Sequence, residues 1–293
     1  MAYIFGSTSL MKSKGIVHPD SYFKIVEKNK IDWQLWIDVL QGKVAGAIFR
    51  DVFNQELRQQ VCYNFWNSLT LKQQTDGLPP SVKALLGTSL EVITTNPLEV
   101  YFEEVKRTRK DIQSLFANTG DFFVFLIDNI NEHLAAQGCS LRLAEYNGLK
   151  TGEYKMRSWG NTGTFVVAPH DDAGILGSPR MKDFEIGHLL NGRTVGVNIC
   201  IENGEGGNLC YWNISPNDET RKALGFENDG FGYSLEYLAN FDEVSVSIFP
   251  GDIYLFDTAK VHAIGRKTKD EENRLTVSWS MGLLNPTTFL YWG

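Results

Sequence analysis

Apolar positions in the first half of the chain recur every three to four residues. Ile31, Leu35 and Val39, with Trp36 and Leu40, form one such stripe; Asp20 and Ser21 are its expected caps and Gly42 its stop. Leu57, Val61, Phe65 and Leu69 form a second stripe behind a capping Asn54. Two further helices are predicted near 98–117 and 121–137. The second is apolar nearly all round at its start, which predicts burial against a sheet. Residues 44–49 read as a short buried strand, and 71–98, with Pro79, Pro80 and Pro97, read mostly as loop.

From about residue 140 the period changes. Short β-rich runs separated by Gly, Asn, Asp and Pro continue to the end: 141–146, 154–159, 163–170, 193–201, 208–213, 244–249, 252–256, 261–266 and 274–283. Helices followed by many short strands predict a β-sandwich or barrel braced by helices, not a βαβ fold. No repeat or linker interrupts the chain. The expectation is one domain over 1–293, with 1–139 as mainly helical support and 140–293 as the β core.

Composition narrows the partners. Lys and Arg total 28 against 35 Asp and Glu, so the formal charge is -7 and the pI near 5.3, which disfavours nucleic acid. The four cysteines, Cys62, Cys139, Cys200 and Cys210, show no CxxC spacing. The opening residues MAYIFGSTSLMKSKG lack the apolar stretch and cleavage site of a secretory leader, and the most apolar run, 122–127, is too short to span a bilayer. The expected setting is a reducing cytoplasm with no membrane partner.

Among five histidines, His133 sits on a helix, His18 before a proline and His188 in the loop 173–192, a segment long enough to act as a lid. His170 differs. The run 164–172 (TFVVAPHDD) reads as a strand ending in His-x-Asp, and residues two apart on a strand share a face. His170 and Asp172 are therefore expected to converge while Asp171 points away. His262, on the strand 261–266, is the expected third member. Two imidazoles and one carboxylate on one face leave three coordination positions open, the arrangement of non-haem Fe(II) oxygenases. Arg274 follows on a later strand, with Thr276 and Ser278 at the same parity. Arg266 is its competitor and reads better as a strand-end charge. Arg157, two residues before Trp159, is a candidate for a substrate carboxylate, and Asn198 and Trp212 are candidate interior-lining residues.

With these fragments in place, residues 154–282 resemble the catalytic core of the 2-oxoglutarate/Fe(II)-dependent dioxygenases. The order His170-x-Asp172, distal His262, then Arg274 twelve residues later is that superfamily's pattern. Gly206-Gly207-Asn208-Leu209 and Phe249-Pro250-Gly251-Asp252 through Phe256 resemble two further stretches of it. The resemblance implies an α+β fold with a mainly β core, a double-stranded β-helix (jelly roll) with the N-terminal helices packed on one sheet. It implies Fe(II) held by His170, Asp172 and His262, and 2-oxoglutarate held through its far carboxylate by Arg274, with Thr276 beside it. O2 is the second cosubstrate. The implied reaction is hydroxylation of an unactivated C–H bond in a small molecule, an amino acid or secondary metabolite, free or attached to a carrier protein. Asp172 stands where a halogenating branch has Gly or Ala. Desaturation, epimerisation or cyclisation would use the same residues. A protein-modifying oxygenase and a non-catalytic cupin-like binding module are the rival readings.

Overall fold

The computed structural model describes residues 15–73, 78, 81–161, 163–226 and 230–293. The reading of the first residues as leaderless and of Pro79 and Pro80 as loop falls largely outside these. The architecture is mixed α+β, with a nine-stranded and a four-stranded sheet as the main layers. Strands appear at every β-rich run expected after residue 140.

The larger sheet is organised on Arg274–Asn285, a twelve-residue strand that pairs antiparallel with Val195–Glu202, Lys155–Trp159 and Thr288–Trp292. Alternation along these strands sorts side chains onto two faces. Val195, Val197 and Ile199, with Leu275, Val277 and Met156, pack into one apolar cluster with the helices. Asn198, Thr276, Ser278, Lys155 and Arg157 point the other way and line a cavity. Ser278 faces Asn198 on one side and Lys155 on the other, while Thr276 faces Cys200 and Arg157. The polar wall of the cavity thus follows from register.

Helices cover the apolar face. Trp33–Leu40 buries Trp36, Ile37, Val39 and Leu40, and Leu98–Leu115 buries Tyr101, Val105, Ile112 and Leu115 at the expected helical spacing. Phe122–Ala135 packs against the sheet as expected, through the stripe Phe123, Leu126, Ile130 and Leu134, while its apolar Val124 and Phe125 are exposed. Asp20 and Ser21 cap no helix; they lie in a turn before the strand Ile25–Lys28. The cap is Asp32, whose carboxylate accepts from the Leu35 N–H at 3.0 Å. Gly46–Phe49 is the fully buried strand expected at 44–49. The segment 71–98 is more ordered than expected, because Val82–Leu86 pairs with Lys155–Trp159 at the sheet margin.

The smaller sheet runs Glu243–Val246, Leu209–Trp212, His262–Gly265, Phe165–His170 in space, all antiparallel. Replacing Asp32 by Ala is expected to cost about 1 kcal/mol in urea unfolding, whereas Asp20→Ala leaves the midpoint unchanged.

Candidate active site

The central contact is a cross-strand pair. His170 ends one strand, His262 begins its neighbour, and the ladder sets them directly opposite each other with ring centroids 4.2 Å apart. Each Nδ1 lies against a backbone carbonyl two residues earlier, at 2.8 Å for His170 to Ala168 and 2.9 Å for His262 to Lys260. A carbonyl only accepts, so both Nδ1 atoms carry a proton and the Nε2 atoms are left for another partner.

Asp172 joins them by a different route from the one expected. It lies beyond the strand, in helical backbone (φ -82, ψ -13), and precedes the short helix Ala173–Leu176. Its N–H donates to the Thr258 carbonyl at 2.9 Å, which fixes where the chain leaves the sheet. The Asp172 Oδ1 stands 3.8 Å from His170 Nε2, too far for a hydrogen bond. One ligand atom from each of His170, Asp172 and His262 falls within 4.8 Å of the others. Burial, followed by the charge of His170, pushes the His262 imidazole well below its ordinary value, and burial raises the Asp172 carboxyl. Neutral imidazoles with free Nε2 atoms, held by their Nδ1 hydrogen bonds, are the donor form that a divalent transition metal takes. The donor set fits iron(II).

Asp171 does point away, but into the protein. Its carboxylate receives Arg221 Nη2 at 2.8 Å, the Tyr233 hydroxyl at 2.6 Å and the Gly174 N–H at 2.9 Å. It joins the strand end to the helix Asp218–Leu224 and to the segment after 230. The residues 173–192 are not a free lid. They form four short helical turns whose Met181, Phe184, Ile186 and Leu189 are buried in a second apolar cluster; only Ile175 and Leu176 reach the cavity.

The cavity, of about 200 Å³, contains His170, Asp172 and His262 together with Arg274, Thr276, Arg157 and Asn198. Trp212, a candidate for the same interior, is not in it: together with Cys210 on the same strand face, it packs against the Ile214, Tyr233 and Leu238 cluster. His133 and His188 bond backbone carbonyls elsewhere. Arg266 is exposed and paired with Asp270 at 3.3 Å.

Arg274 is 1% exposed, and it gives Nη1 to Asn203 Oδ1 and the Gly207 carbonyl, both at 3.0 Å, and Nη2 to the Tyr254 hydroxyl at 3.1 Å. All three partners are neutral, and no carboxylate lies within 4.0 Å among the described residues. Thr276 accepts from the Trp159 indole N–H at 2.9 Å, which leaves its own proton to donate. Three further residues went unmarked in the sequence: Tyr254, Lys155 and Glu91 all line the cavity. Burial, then the Arg157 charge, pushes the Lys155 ammonium down to about 8, and Arg157 holds Glu91 below its usual range.

No protein-family model matches the chain. It is 27% identical over 199 residues to the L-isoleucine 3(1)-dioxygenase of Pantoea ananatis, a match covering 66% of this chain and 66% of that protein, about two thirds of each. It shares its fold with an N-substituted L-amino acid dioxygenase from Burkholderia ambifaria, at a TM-score of 0.58 and 15% identity over 89% of this chain and 91% of that one. The same enzyme solved with α-ketoglutarate matches at 0.58 and 14% over 89% and 90%.

Asp171→Ala removes the buried partner of Arg221 and leaves it only the exposed Asp218 at 2.8 Å; it is expected to cost about 3–5 kcal/mol, read as a shifted urea midpoint. Asp172→Ala is expected to move that midpoint by less than Asp171→Ala does. The sequence similarity to a dioxygenase, the shared fold and the order of His170, Asp172, His262 and Arg274 all resemble the 2-oxoglutarate/Fe(II)-dependent dioxygenases.

Proposed function

We propose that the protein is an Fe(II)- and 2-oxoglutarate-dependent oxygenase that hydroxylates a C–H bond of an aliphatic amino acid. The observation that carries this is the convergence of two imidazoles and one carboxylate in the lining of a cavity whose wall also holds a buried arginine with no carboxylate within 4.0 Å among the described residues. The names of the relatives support the substrate class. No helix among the described residues is long and apolar enough to cross a membrane, and all four cysteines are free, which supports action in a reducing cytoplasm. The two main sheets, packed with the cavity between them and the helices outside, support the jelly-roll description.

In this reading His170, Asp172 and His262 hold iron(II), leaving three positions for cosubstrate and oxygen. Bound there, iron(II) would activate O2, the oxidant, so that one oxygen atom enters the substrate C–H bond and the other enters succinate as 2-oxoglutarate is decarboxylated. The balance is substrate, 2-oxoglutarate and O2 giving hydroxylated substrate, succinate and CO2. Arg274 contributes a charge that cannot be lost, in a site with little water, and its fork matches the far carboxylate of 2-oxoglutarate. Three of its five N–H groups are already committed to Asn203, Gly207 and Tyr254, so its plane is fixed before the cosubstrate arrives. Thr276 and Tyr254 provide hydroxyls beside it. The apolar side chains of Ile175, Leu176 and Phe231 line the same cavity.

The test is anaerobic addition of Fe(II) and then 2-oxoglutarate, which is expected to produce a weak visible charge-transfer band, followed by succinate release in air stimulated by an aliphatic amino acid. His170→Ala and His262→Ala are expected to abolish the band while keeping the far-ultraviolet circular dichroism. Arg274→Leu is expected to weaken 2-oxoglutarate binding roughly 30-fold or more, from about 2–5 kcal/mol for a lost buried charge partner. Full activity in either histidine variant would remove the metal assignment.

A further inference from the structure

The cavity wall opposite the small sheet carries two cations and one anion that neither the metal nor a cosubstrate carboxylate on Arg274 accounts for. Lys155 and Arg157 stand two apart on one strand, facing Ser278 and Thr276 across the ladder, and are 9% and 8% exposed. Glu91 comes from the turn before the short helix Val92–Thr95 and places Oε1 3.5 Å from Arg157 Nη2. Arg157 also lies over the Trp159 ring, 5.1 Å from its centroid, which holds the guanidinium in plane. The Lys155 ammonium has no hydrogen bond or ion pair within 4.0 Å among the described residues.

A buried ammonium without a partner is costly, and Glu91 neutralises only one of the two cations. The wall therefore presents one positive charge in excess, beside a Glu91 side chain that lines the same cavity and is 55% exposed. A single group of atoms satisfies both features: an anion for Lys155 and Arg157, joined by a short link to a cation for Glu91. We infer that Glu91, Arg157 and Lys155 form a clamp for the α-carboxylate and α-ammonium of a free amino acid. This rests on the oxygenase reading and narrows it.

The position suits the chemistry. Glu91 and Lys155 both act electrostatically on the Asp172 carboxyl, and His170 acts on Glu91, so the clamp lies within charge range of the proposed iron ligands. Leu90, Ile175, Leu176 and Phe231 supply apolar surface in the same cavity for an aliphatic side chain. Held at both charged groups, such a substrate has only its side chain left to present to the metal. A thioester on a carrier protein has no free carboxylate and would leave Lys155 unpaired. An N-acylated amino acid has no ammonium and would leave Glu91 facing a neutral amide. The clamp thus selects the free zwitterion over both.

The experiment uses the full chain with Fe(II) and 2-oxoglutarate under nitrogen, reading the charge-transfer band as L-isoleucine, L-leucine or L-valine is added. At least one of these is expected to shift the band saturably, with isoleucinamide and N-acetyl-L-isoleucine binding at least about tenfold more weakly. Arg157→Leu and Lys155→Met are expected to weaken binding of the free amino acid by a similar factor while leaving the 2-oxoglutarate titration in place. Glu91→Gln is expected to narrow the gap between L-isoleucine and its N-acetyl form. Failure of the band to form in the unaltered protein would overturn the oxygenase reading. A normal band that no free amino acid perturbs, or that the amide and N-acetyl compounds perturb equally well, would overturn the clamp alone. That comparison needs no variant to fold.

Discussion

Everything at this site depends on one rung of an antiparallel ladder. His170 and His262 are cross-strand partners, and the ladder sets their separation before any metal is considered. The backbone carbonyls of Ala168 and Lys260 then orient the rings by taking both Nδ1 protons. A one-residue slip of either strand would turn an imidazole to the opposite face of the sheet. The irregularity in register just after His262, between it and Ile264, falls beside this rung, where it re-aims the neighbouring strand without disturbing the pair.

The second constraint is charge in a closed space. The cavity face of the large sheet is built from polar and charged residues on alternate positions, and the cost of burying them is met in different ways. Arg274 is tied to three neutral acceptors and Arg157 to Glu91 and Trp159, whereas the Lys155 ammonium has nothing within bonding distance among the described residues. Such a wall is stabilised when anions enter. Binding and local stability are therefore coupled at this face, because any ligand that prefers the folded state adds to its stability.

Much of this was legible in the chain. The strands after residue 140 announced themselves through alternation bounded by turn residues, and His170, Asp172, His262, Arg274, Thr276, Arg157 and Asn198 all reach one cavity. What escaped had physical causes. Trp212 was placed by parity alone, and parity does not say which face of a strand is inside; an apolar cluster decided it. Val82–Leu86 hid in a proline-bearing segment because it is a margin strand stabilised by pairing with Lys155–Trp159, not by its own pattern. Glu91 was invisible for the same reason, since its meaning depends on Arg157, 66 residues away. Lys155 shares the parity of Arg157, and that signal was available but unused.

The neighbouring aspartates show how a short motif divides its work. Period-2 reasoning expected Asp172 to share the face of His170 by strand geometry, yet the strand has ended and residue 172 is helical. Convergence is achieved because Asp171 is pulled inward by Arg221 and Tyr233, and the Asp172 N–H is held by the Thr258 carbonyl. With the chain pinned on both sides, the Asp172 side chain is left facing the cavity, 3.8 Å from His170 Nε2 and within charge range of Lys155. The buried Asp171–Arg221 pair thus acts as a positioning device for its neighbour. In His170-Asp171-Asp172 the middle residue shapes the site as much as the two that face it, and a sequence pattern that treats it as arbitrary leaves out what holds the other two in place.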